Sequence, residues 1–201
     1  MEWFFILISS AFINNFVLTQ FLGMCPFFGV SKKTETAIGM GVSVIFVLTL
    51  SSIMTFVFYQ YVLVPLKIEY LQTVAFILII ASIVQFVEVF MKKTFRLLYS
   101  TLGIFLPMIT VNCVIFGTSL INIKEKTPIG GEEFTLFHAV INSLGAGGGF
   151  LLALVLLAAI REKYDNHPDV PWIFQGFPLA LFSAGLMSIA FLGFLGLKAG
   201  G

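Results

Sequence analysis

The sequence predicts an all-α integral membrane protein of six transmembrane helices, arranged as two inverted three-helix repeats. Hydrophobic residues make up 59% of the 201 residues and charged residues only 10%, whereas a soluble domain carries about 25% charged residues. Cutting the chain at its charges leaves six uncharged runs, each about as long as the ~20 apolar residues that a membrane helix needs, or longer. The runs are 3–31, 36–66, 70–87, 97–123, 134–160 and 170–197.

The distribution of basic residues predicts the orientation of these helices. The loops after runs one, three and five share one side of the membrane and carry seven Lys and Arg residues, against four on the opposite side. Cytoplasmic loops are enriched in Lys and Arg, so these three loops should be cytoplasmic and both termini outside. The larger set is Lys32, Lys33, Lys92, Lys93, Arg96, Arg161 and Lys163, and the smaller is Lys67, Lys124, Lys126 and Lys198.

Composition also argues against several classes of protein. The start, Met1-Glu2-Trp3, lacks the basic region of a secretory signal, so the first run should be retained as a span. The net charge is +1 and no basic stripe exists, so no nucleic-acid partner is expected. No loop is long enough to fold a soluble catalytic domain.

A repeated motif divides this single membrane domain, residues 1–201, into two halves. The pattern C-x-x-F-G-x-S occurs as CPFFGVS at 25–31 and again, 88 positions later, as CVIFGTS at 113–119. A looser glycine-containing repeat relates IGMGVS at 38–43 to LGAGGGF at 144–150. The halves are about 1–93 and 94–201, with three spans each. Because three is odd, the second half would enter the membrane from the opposite face, which gives an inverted repeat.

The chain contains only two cysteines, and each begins one copy of the motif. A disulfide is disfavoured because both thiols lie inside apolar runs, while a free cysteine often serves as a small apolar filler. The third interpretation is that the cysteines bind a metal centre. An iron–sulfur cluster normally takes four thiolates, so another protein would have to supply the remaining ligands. Neither histidine should ligate: His138 near the start of the fifth run and His167 in a loop are expected to be solvated or interfacial.

Helix geometry constrains how the two thiols could meet. Cys25 would lie about 10 Å from the cytoplasmic surface and Cys113 about 25 Å, at ~1.5 Å per helical residue. Broken helices at spans 1 and 4 would bring them together, and a half-helix that begins at either cysteine favours the thiolate through its dipole. Candidate breaks are Gly23, Pro26 and Gly29 in the first span and Gly103, Pro107 and Gly117 in the fourth.

Several uncharged polar residues lie inside the predicted spans, where such groups usually form hydrogen bonds between helices. They are Asn14, Asn15, Gln20, Gln85 and Asn112. Asn112 directly precedes Cys113, so it is a candidate donor to a cluster sulfur. The glycine run 145–149 lacks the Lys-Ser/Thr of a phosphate loop and is expected to serve helix packing.

Four segments carry a resemblance to a known family. They are NNFVLTQFLGMCPFFGVSKK (14–33), GIFLPMITVNCVIFG (103–117), AAIREK (158–163) and SAGLMSIAFLGF (183–194). Together they resemble the A-type subunits of Rnf complexes, which are ion-translocating ferredoxin:NAD oxidoreductases. The sodium-pumping NADH:quinone reductase contains a related membrane protein, its E-type subunit. The similarity extends over essentially the whole chain, and the cysteine segments are its most specific part.

The resemblance implies a six-span protein of a bacterial or archaeal cytoplasmic (inner) membrane, with both termini outside. It also implies a homologous partner of opposite orientation, the E-type subunit of the Rnf complex, and a [2Fe-2S] cluster held by two cysteines from each of the two proteins. In this chain those ligands would be Cys25 and Cys113. The cluster would relay electrons between flavin and iron–sulfur subunits, coupled to Na⁺ or H⁺ pumping, and the chain would have no activity alone.

Two other classes of function remain open at this point. Inverted repeats and broken helices are also hallmarks of small secondary transporters. Such a carrier would bind its solute near the membrane midplane and would need no iron. A purely structural membrane scaffold is the third class, and it would tolerate the loss of both cysteines.

Overall fold

The structure, a computed structural model, is helical throughout the part of the chain that it describes. It describes residues 11, 15–66, 69–94, 108–109, 112–124, 136–165 and 176–198. The principal helices are α1 (Phe16–Gln20), α2 (Met24–Val30), α3 (Thr34–Phe58), α4 (Gln72–Thr94), α5 (Cys113–Lys124), α6 (Leu136–Asp165) and α7 (Phe177–Lys198). The prediction of an all-α chain is confirmed for these ranges.

Among the described residues, three helical stretches are long and apolar enough to cross a membrane. They are Thr34–Leu63, Gln72–Val89 and Leu136–Tyr164, while Cys113–Asn122 and Phe177–Gly193 are shorter apolar stretches. The start of the first predicted span and residues 97–107 of the fourth lie outside the described residues. The candidate breaks at Gly103 and Pro107 therefore lie outside them too, as do Asn14 and His167.

Helix α3 continues beyond Phe58 as one wider π-helical turn, Tyr59–Leu63, and then as the short α-helical stretch Val64–Leu66. The amide of Val64 donates to the carbonyl of Tyr59, one residue further back than in an α-helix. Pro65 follows, and its ring clashes with the carbonyl four residues earlier in a regular helix. The wider turn moves that carbonyl aside, so the helix continues through the proline.

A single buried core joins all seven of these helices. Its largest fully buried side chains include Phe27 of α2, Val44 of α3, Phe76 of α4, Ile115 of α5 and Phe150 of α6. Large apolar side chains also cover the outer face of α4, where Phe86 is 72% exposed. An apolar exterior of this extent suits a surface that faces lipid or another membrane protein.

Helices α3 and α6 form the centre of the molecule and run antiparallel in close contact. A Cβ atom added at Gly41 would overlap Cδ1 of Leu151, and one at Gly147 would lie 2.8 Å from Cγ1 of Ile45. Small residues let membrane helices approach this closely. The expectation that the glycine run 145–149 serves helix packing is therefore supported at Gly147, whereas nothing lies within 4 Å of a Cβ at Gly148.

These two contacts are reciprocal. Gly41 meets Leu151 and Ile45 meets Gly147, and the members of each related pair are separated by the same 106 positions. The glycine-containing repeat in the sequence therefore corresponds to two contacts between the central helices that are related by a local two-fold. Each helix supplies one glycine and, four residues later, one large aliphatic side chain.

A polar cluster ties α5 to both central helices at the end of α5 remote from Cys113. Nδ2 of Asn122 donates to Oγ of Ser52 at 2.8 Å and to Oγ of Ser143 at 3.3 Å. Oδ1 of Asn122 accepts from Nδ2 of Asn142 at 2.6 Å. These hydrogen bonds satisfy the buried amide and hold three helices in register.

His138 was expected to be solvated or interfacial, and its burial rules out the solvated alternative. It belongs to the first turn of α6, and the neighbouring carbonyl of Ala139 accepts from Oγ of Ser143 at 2.6 Å and Oγ of Ser52 at 3.5 Å. The first turn of α6 thus packs against α3 rather than projecting beyond it. Sequence position near the end of an apolar run did not reveal that contact.

Two adjacent glycines of α6 allow a matched test of the central packing. We expect Gly147→Ala to lower the thermal midpoint of the purified protein, because the new Cβ meets the side chain and Cα of Ile45; overpacking costs about 1–3 kcal/mol. Nothing lies within 4 Å of a Cβ at Gly148, so Gly148→Ala should leave the midpoint unchanged or raise it. Equal effects of both changes would contradict the close contact at Gly147.

Candidate functional site

The first cysteine follows a sharp turn between α1 and α2. Phe21 adopts a left-handed backbone with φ 56°, and so does Gly23 with φ 78°. The amide of Leu22 donates to the carbonyl of Phe16 at 3.0 Å, which closes the end of α1. Helix α2 then begins at Met24, so Cys25 lies in its first turn.

The second cysteine is the first residue of α5. The preceding residue, Asn112, caps this helix, because its Oδ1 accepts from the backbone amide of Val114 at 3.1 Å. Asparagine is among the preferred residues at this capping position. The start of α5 therefore presents the Cys113 thiol at the N-terminal, positive end of a twelve-residue helix.

The two cysteine motifs meet, although they are far apart in sequence. The backbone amide of Gly23, two residues before Cys25, donates to Sγ of Cys113 at 3.2 Å. Straight helices would hold the two cysteines at different depths, and the turn at residues 21–23 removes that obstacle. Both thiol side chains are free and exposed, so they are accessible from outside the chain.

The glycines of the motifs make this approach possible. A Cβ at Gly23 would lie 2.5 Å from Cγ2 of Val114 and 3.3 Å from Oδ1 of Asn112. A Cβ at Gly117 would overlap Cδ2 of Leu22, and one at Gly29 would lie 3.0 Å from Cε of Met108. The glycine of each C-x-x-F-G-x-S copy thus accommodates a side chain that precedes the other cysteine.

Asn112 also has an unused hydrogen-bond donor. Its side chain is 3% exposed, yet Nδ2 meets no acceptor within the described part of the chain. A buried donor without a partner costs about 1–3 kcal/mol. Because Oδ1 caps the helix that begins at Cys113, the amide is held beside the thiols with a free N–H. An electron-rich group bound at Cys113 would be a suitable acceptor.

Two thiols could supply at most half of the ligands of an iron–sulfur cluster. No group of three or more metal-ligating side chains occurs in the ranges that the structure describes. A cluster with four thiolate ligands therefore requires two more from elsewhere. The donor set fits such a half-site: two accessible thiols on adjoining helix starts, one amide donating to a sulfur and one spare amide N–H nearby.

Sequence reasoning identified Cys25, Cys113 and Asn112 but missed part of their support. Asn15 caps α1, accepting from the amide of Val17 at 3.1 Å, and its Nδ2 donates to the carbonyl of Gly149 at 3.0 Å. The expected hydrogen bond between helices is therefore confirmed for Asn15. Arg161 entered the sequence argument only as a charge that sets orientation, yet it is buried.

The fold and site define a helical membrane protein that presents two accessible thiols from adjoining helix starts. The family described as "Rnf-Nqr subunit, membrane protein" matches residues 3–198. The chain therefore belongs to the Rnf-Nqr family of membrane subunits, and the resemblance seen in the cysteine segments is confirmed.

Relatives in this family share about half of their residues with the chain over its full length. It is 52% identical over 200 residues to the A-type subunit of the Na⁺-translocating ferredoxin:NAD⁺ oxidoreductase complex of Acetobacterium woodii, covering 100% of both chains. It is 53% identical over 196 residues to the A-type subunit of the ion-translocating oxidoreductase complex of Thioalkalivibrio sulfidiphilus, covering 98% of each. The corresponding protein of Alcanivorax borkumensis is 50% identical, covering 98% of this chain and 97% of the relative.

Replacement of Gly23 tests the contact between the motifs. We expect Gly23→Ala to lower the thermal midpoint more than Gly176→Ala does. Both positions have a left-handed backbone, which costs an alanine about 1–2 kcal/mol, but only at Gly23 does the new Cβ also meet Val114. Gly176 has open space around it and isolates the backbone cost. If the two variants unfold at the same temperature, the close approach at Gly23 does not exist.

Proposed function

We propose that this chain is the A-type membrane subunit of an ion-translocating ferredoxin:NAD oxidoreductase complex. In that role it supplies Cys25 and Cys113 as two ligands of a [2Fe-2S] cluster shared with a homologous six-span protein, the E-type subunit. The observation that carries the proposal is the hydrogen bond from the Gly23 amide to Sγ of Cys113, which joins the two cysteine motifs.

Three further observations support a shared cluster over an isolated pair of thiols. Both cysteines are exposed, so a second protein has access to them. Two thiolates meet half of the usual requirement of four. The relatives are named as subunits of ion-translocating oxidoreductase complexes, which gives a redox function to the assembly in which such a chain works.

The proposed architecture consists of six spans in two inverted repeats, about 1–93 and 94–201, with broken helices at spans 1 and 4. The turn between α1 and α2 supports a break in the first span. The reciprocal glycine contacts between the antiparallel helices α3 and α6 support the inverted repeat. The basic residues favour an orientation in the bacterial or archaeal inner membrane with both termini outside.

The residues around the thiols have distinct roles in this proposal. A [2Fe-2S] cluster supplies one-electron transfer, relaying electrons between flavin and iron–sulfur subunits during Na⁺ or H⁺ transport. The amide of Gly23 stabilises negative charge on Sγ of Cys113, and Nδ2 of Asn112 is available to a second acceptor. Hydrogen bonds to sulfur raise a cluster's reduction potential. The chain itself contributes ligands and positioning, and it has no activity alone.

A secondary transporter is the rival function, since a broken helix next to an antiparallel helix pair also suits a solute carrier. Iron content separates the two. We expect the chain, co-purified with its homologous partner, to hold about two iron atoms per heterodimer, the content of one [2Fe-2S] cluster. Either Cys25→Ala or Cys113→Ala should abolish the iron, because each removes a ligand.

The control for this experiment is Ser82→Ala on the exposed face of α4, which should retain the iron. Iron would be measured by mass spectrometry of the purified heterodimer, together with its electron paramagnetic resonance signal after reduction. A cysteine-free variant that still transports a solute would favour the carrier. Electron flow that persists without either cysteine would favour a structural scaffold.

The spare N–H of Asn112 gives a separate prediction. Asn112→Ser keeps an oxygen that caps α5 but removes Nδ2, so the cluster should still assemble with a more negative midpoint potential. Asn112→Ala also removes the cap and should in addition lower the thermal midpoint, by an amount corresponding to about 1 kcal/mol. A redox titration of the heterodimer measures the potential. An unchanged potential in the serine variant would show that Nδ2 does not reach a cluster sulfur.

A further inference from the structure

A buried arginine contacts the helix that carries Cys25. Arg161 lies near the end of α6 and is 7% exposed. Its Nη1 donates to the carbonyl of Phe28 at 2.9 Å and to Oγ of Ser31 at 2.8 Å. Both acceptors are uncharged. Burying a cation without a carboxylate is costly, so these hydrogen bonds have to offset its lost hydration.

The segment that Arg161 contacts has little stability of its own. Helix α2 has seven residues, Met24–Val30; Gly23 precedes it without a side-chain cap, and Ser31 follows it. Isolated helices of this length are not stable. The carbonyls of its last turn lack partners within the helix. Arg161 satisfies one of them, and Oγ1 of Thr36 donates to another, that of Val30, at 3.3 Å. A cation at this end also complements the helix dipole.

The second copy of the motif has no such support. Ser119 is the counterpart of Ser31, and its Oγ donates to the carbonyl of Ile115 in its own helix at 2.8 Å. Helix α5 continues past Ser119 to Lys124, so the equivalent carbonyls are satisfied within the helix. At the first copy, Oγ of Ser31 also donates to a carbonyl of its own segment, that of Phe28, at 3.5 Å. Only there, among the two described copies, do the serine and that carbonyl also accept from another helix, through Arg161.

The next residue of α6 strengthens the attachment. Oγ1 of Thr34, the first residue of α3, donates to Oε2 of Glu162. Arg161 and Glu162 therefore hold both sides of the short connection between α2 and α3. The end of α6 fixes where α2 stops and where α3 starts.

We propose that Arg161 is a positioning residue for Cys25: by anchoring the last turn of α2 to α6, it fixes the thiol in the first turn of that helix. Cys113 begins its own capped helix, so its position depends less on the end of α2, although the Gly23 amide donates to its Sγ. This proposal concerns the chain itself. Its consequence for a cluster, a reduction potential raised by the nearby buried positive charge, rests on the proposed function.

Thiol reactivity tests the positioning without any cluster. The full-length chain would be expressed in membranes without the other subunits, treated with N-ethylmaleimide, and the modification rate of each cysteine followed by peptide mass spectrometry. In Arg161→Gln, Cys25 should react about fivefold faster, which is the effect of losing ~1 kcal/mol of anchoring. The rate at Cys113, whose Sγ accepts from the Gly23 amide, should change much less. Lys163→Gln, an exposed cation on the same helix, should alter neither rate.

Paired serine variants keep the test decisive if Arg161→Gln does not fold. Ser31→Ala removes one acceptor of Arg161 and should accelerate Cys25 selectively. Ser119→Ala changes the equivalent residue of the other motif and should leave Cys25 unaffected. Equal changes at both cysteines, or no change at Cys25 in either Arg161→Gln or Ser31→Ala, would overturn the proposal.

In the assembled complex, the midpoint potential of the cluster can be measured. A purely structural role of Arg161 would leave that potential unchanged. Arg161→Gln should make the cluster's midpoint potential more negative, whereas Arg161→Lys, which keeps the charge, should largely restore it. A complex without iron would refute the proposed function and leave the alkylation result to decide the role of Arg161. A complex with iron, but with no selective change at Cys25, would refute the positioning role alone.

Discussion

A helix that ends inside a membrane leaves backbone N–H and C=O groups that water cannot reach, so protein groups have to satisfy them. In the broken-helix architecture that we propose, this requirement applies to both cysteine segments. Asn15 caps α1, the amide of Leu22 closes its end, and Asn112 caps α5. Arg161 satisfies the end of α2 from a distant helix. Each thiol lies in the first turn of a helix, Cys25 in α2 and Cys113 in α5.

The close packing of the centre offsets the energetic cost of such interruptions. Helices α3 and α6 meet through Gly41 and Gly147, which receive aliphatic side chains from the facing helix. The cysteine segments pack in the same way, since the side chains of Met108 and Leu22 lie against Gly29 and Gly117, respectively. Close backbone approach strengthens dispersion contacts over many atoms. Small residues therefore fix both the helix bundle and the distance between the motifs.

Composition and local pattern were sufficient to predict the general character of the fold. The apolar runs predicted helices, and the described helices α3, α4 and α6 lie within or overlap runs two, three and five. The glycine run at 145–149 was assigned to helix packing because it lacks the residues of a phosphate loop, and the contact at Gly147 supports that assignment. The six spans and the complete inverted repeat stay predictions, since parts of runs one and four lie outside the described ranges.

The sequence singled out the residues of the candidate site but not the contacts that support them, and the role of the cysteines as ligands stays a prediction. A repeated motif in a chain with two cysteines singled out Cys25, Cys113 and the adjacent Asn112. Local sequence could not show that Gly23 donates to a sulfur 90 residues away, or that Arg161 is buried, because both depend on how distant helices pack. The burial of His138 was missed for the same reason.

The most direct test of this account is an intramolecular cross-link between the two thiols. The full-length chain, expressed in membranes without its partner proteins, would be treated with a short bifunctional maleimide and digested for mass spectrometry. The account predicts one product that joins the peptides containing Cys25 and Cys113 within the same chain. Separate modification of each cysteine, with no joined peptide, would contradict the convergence of the two motifs on which a shared metal centre depends.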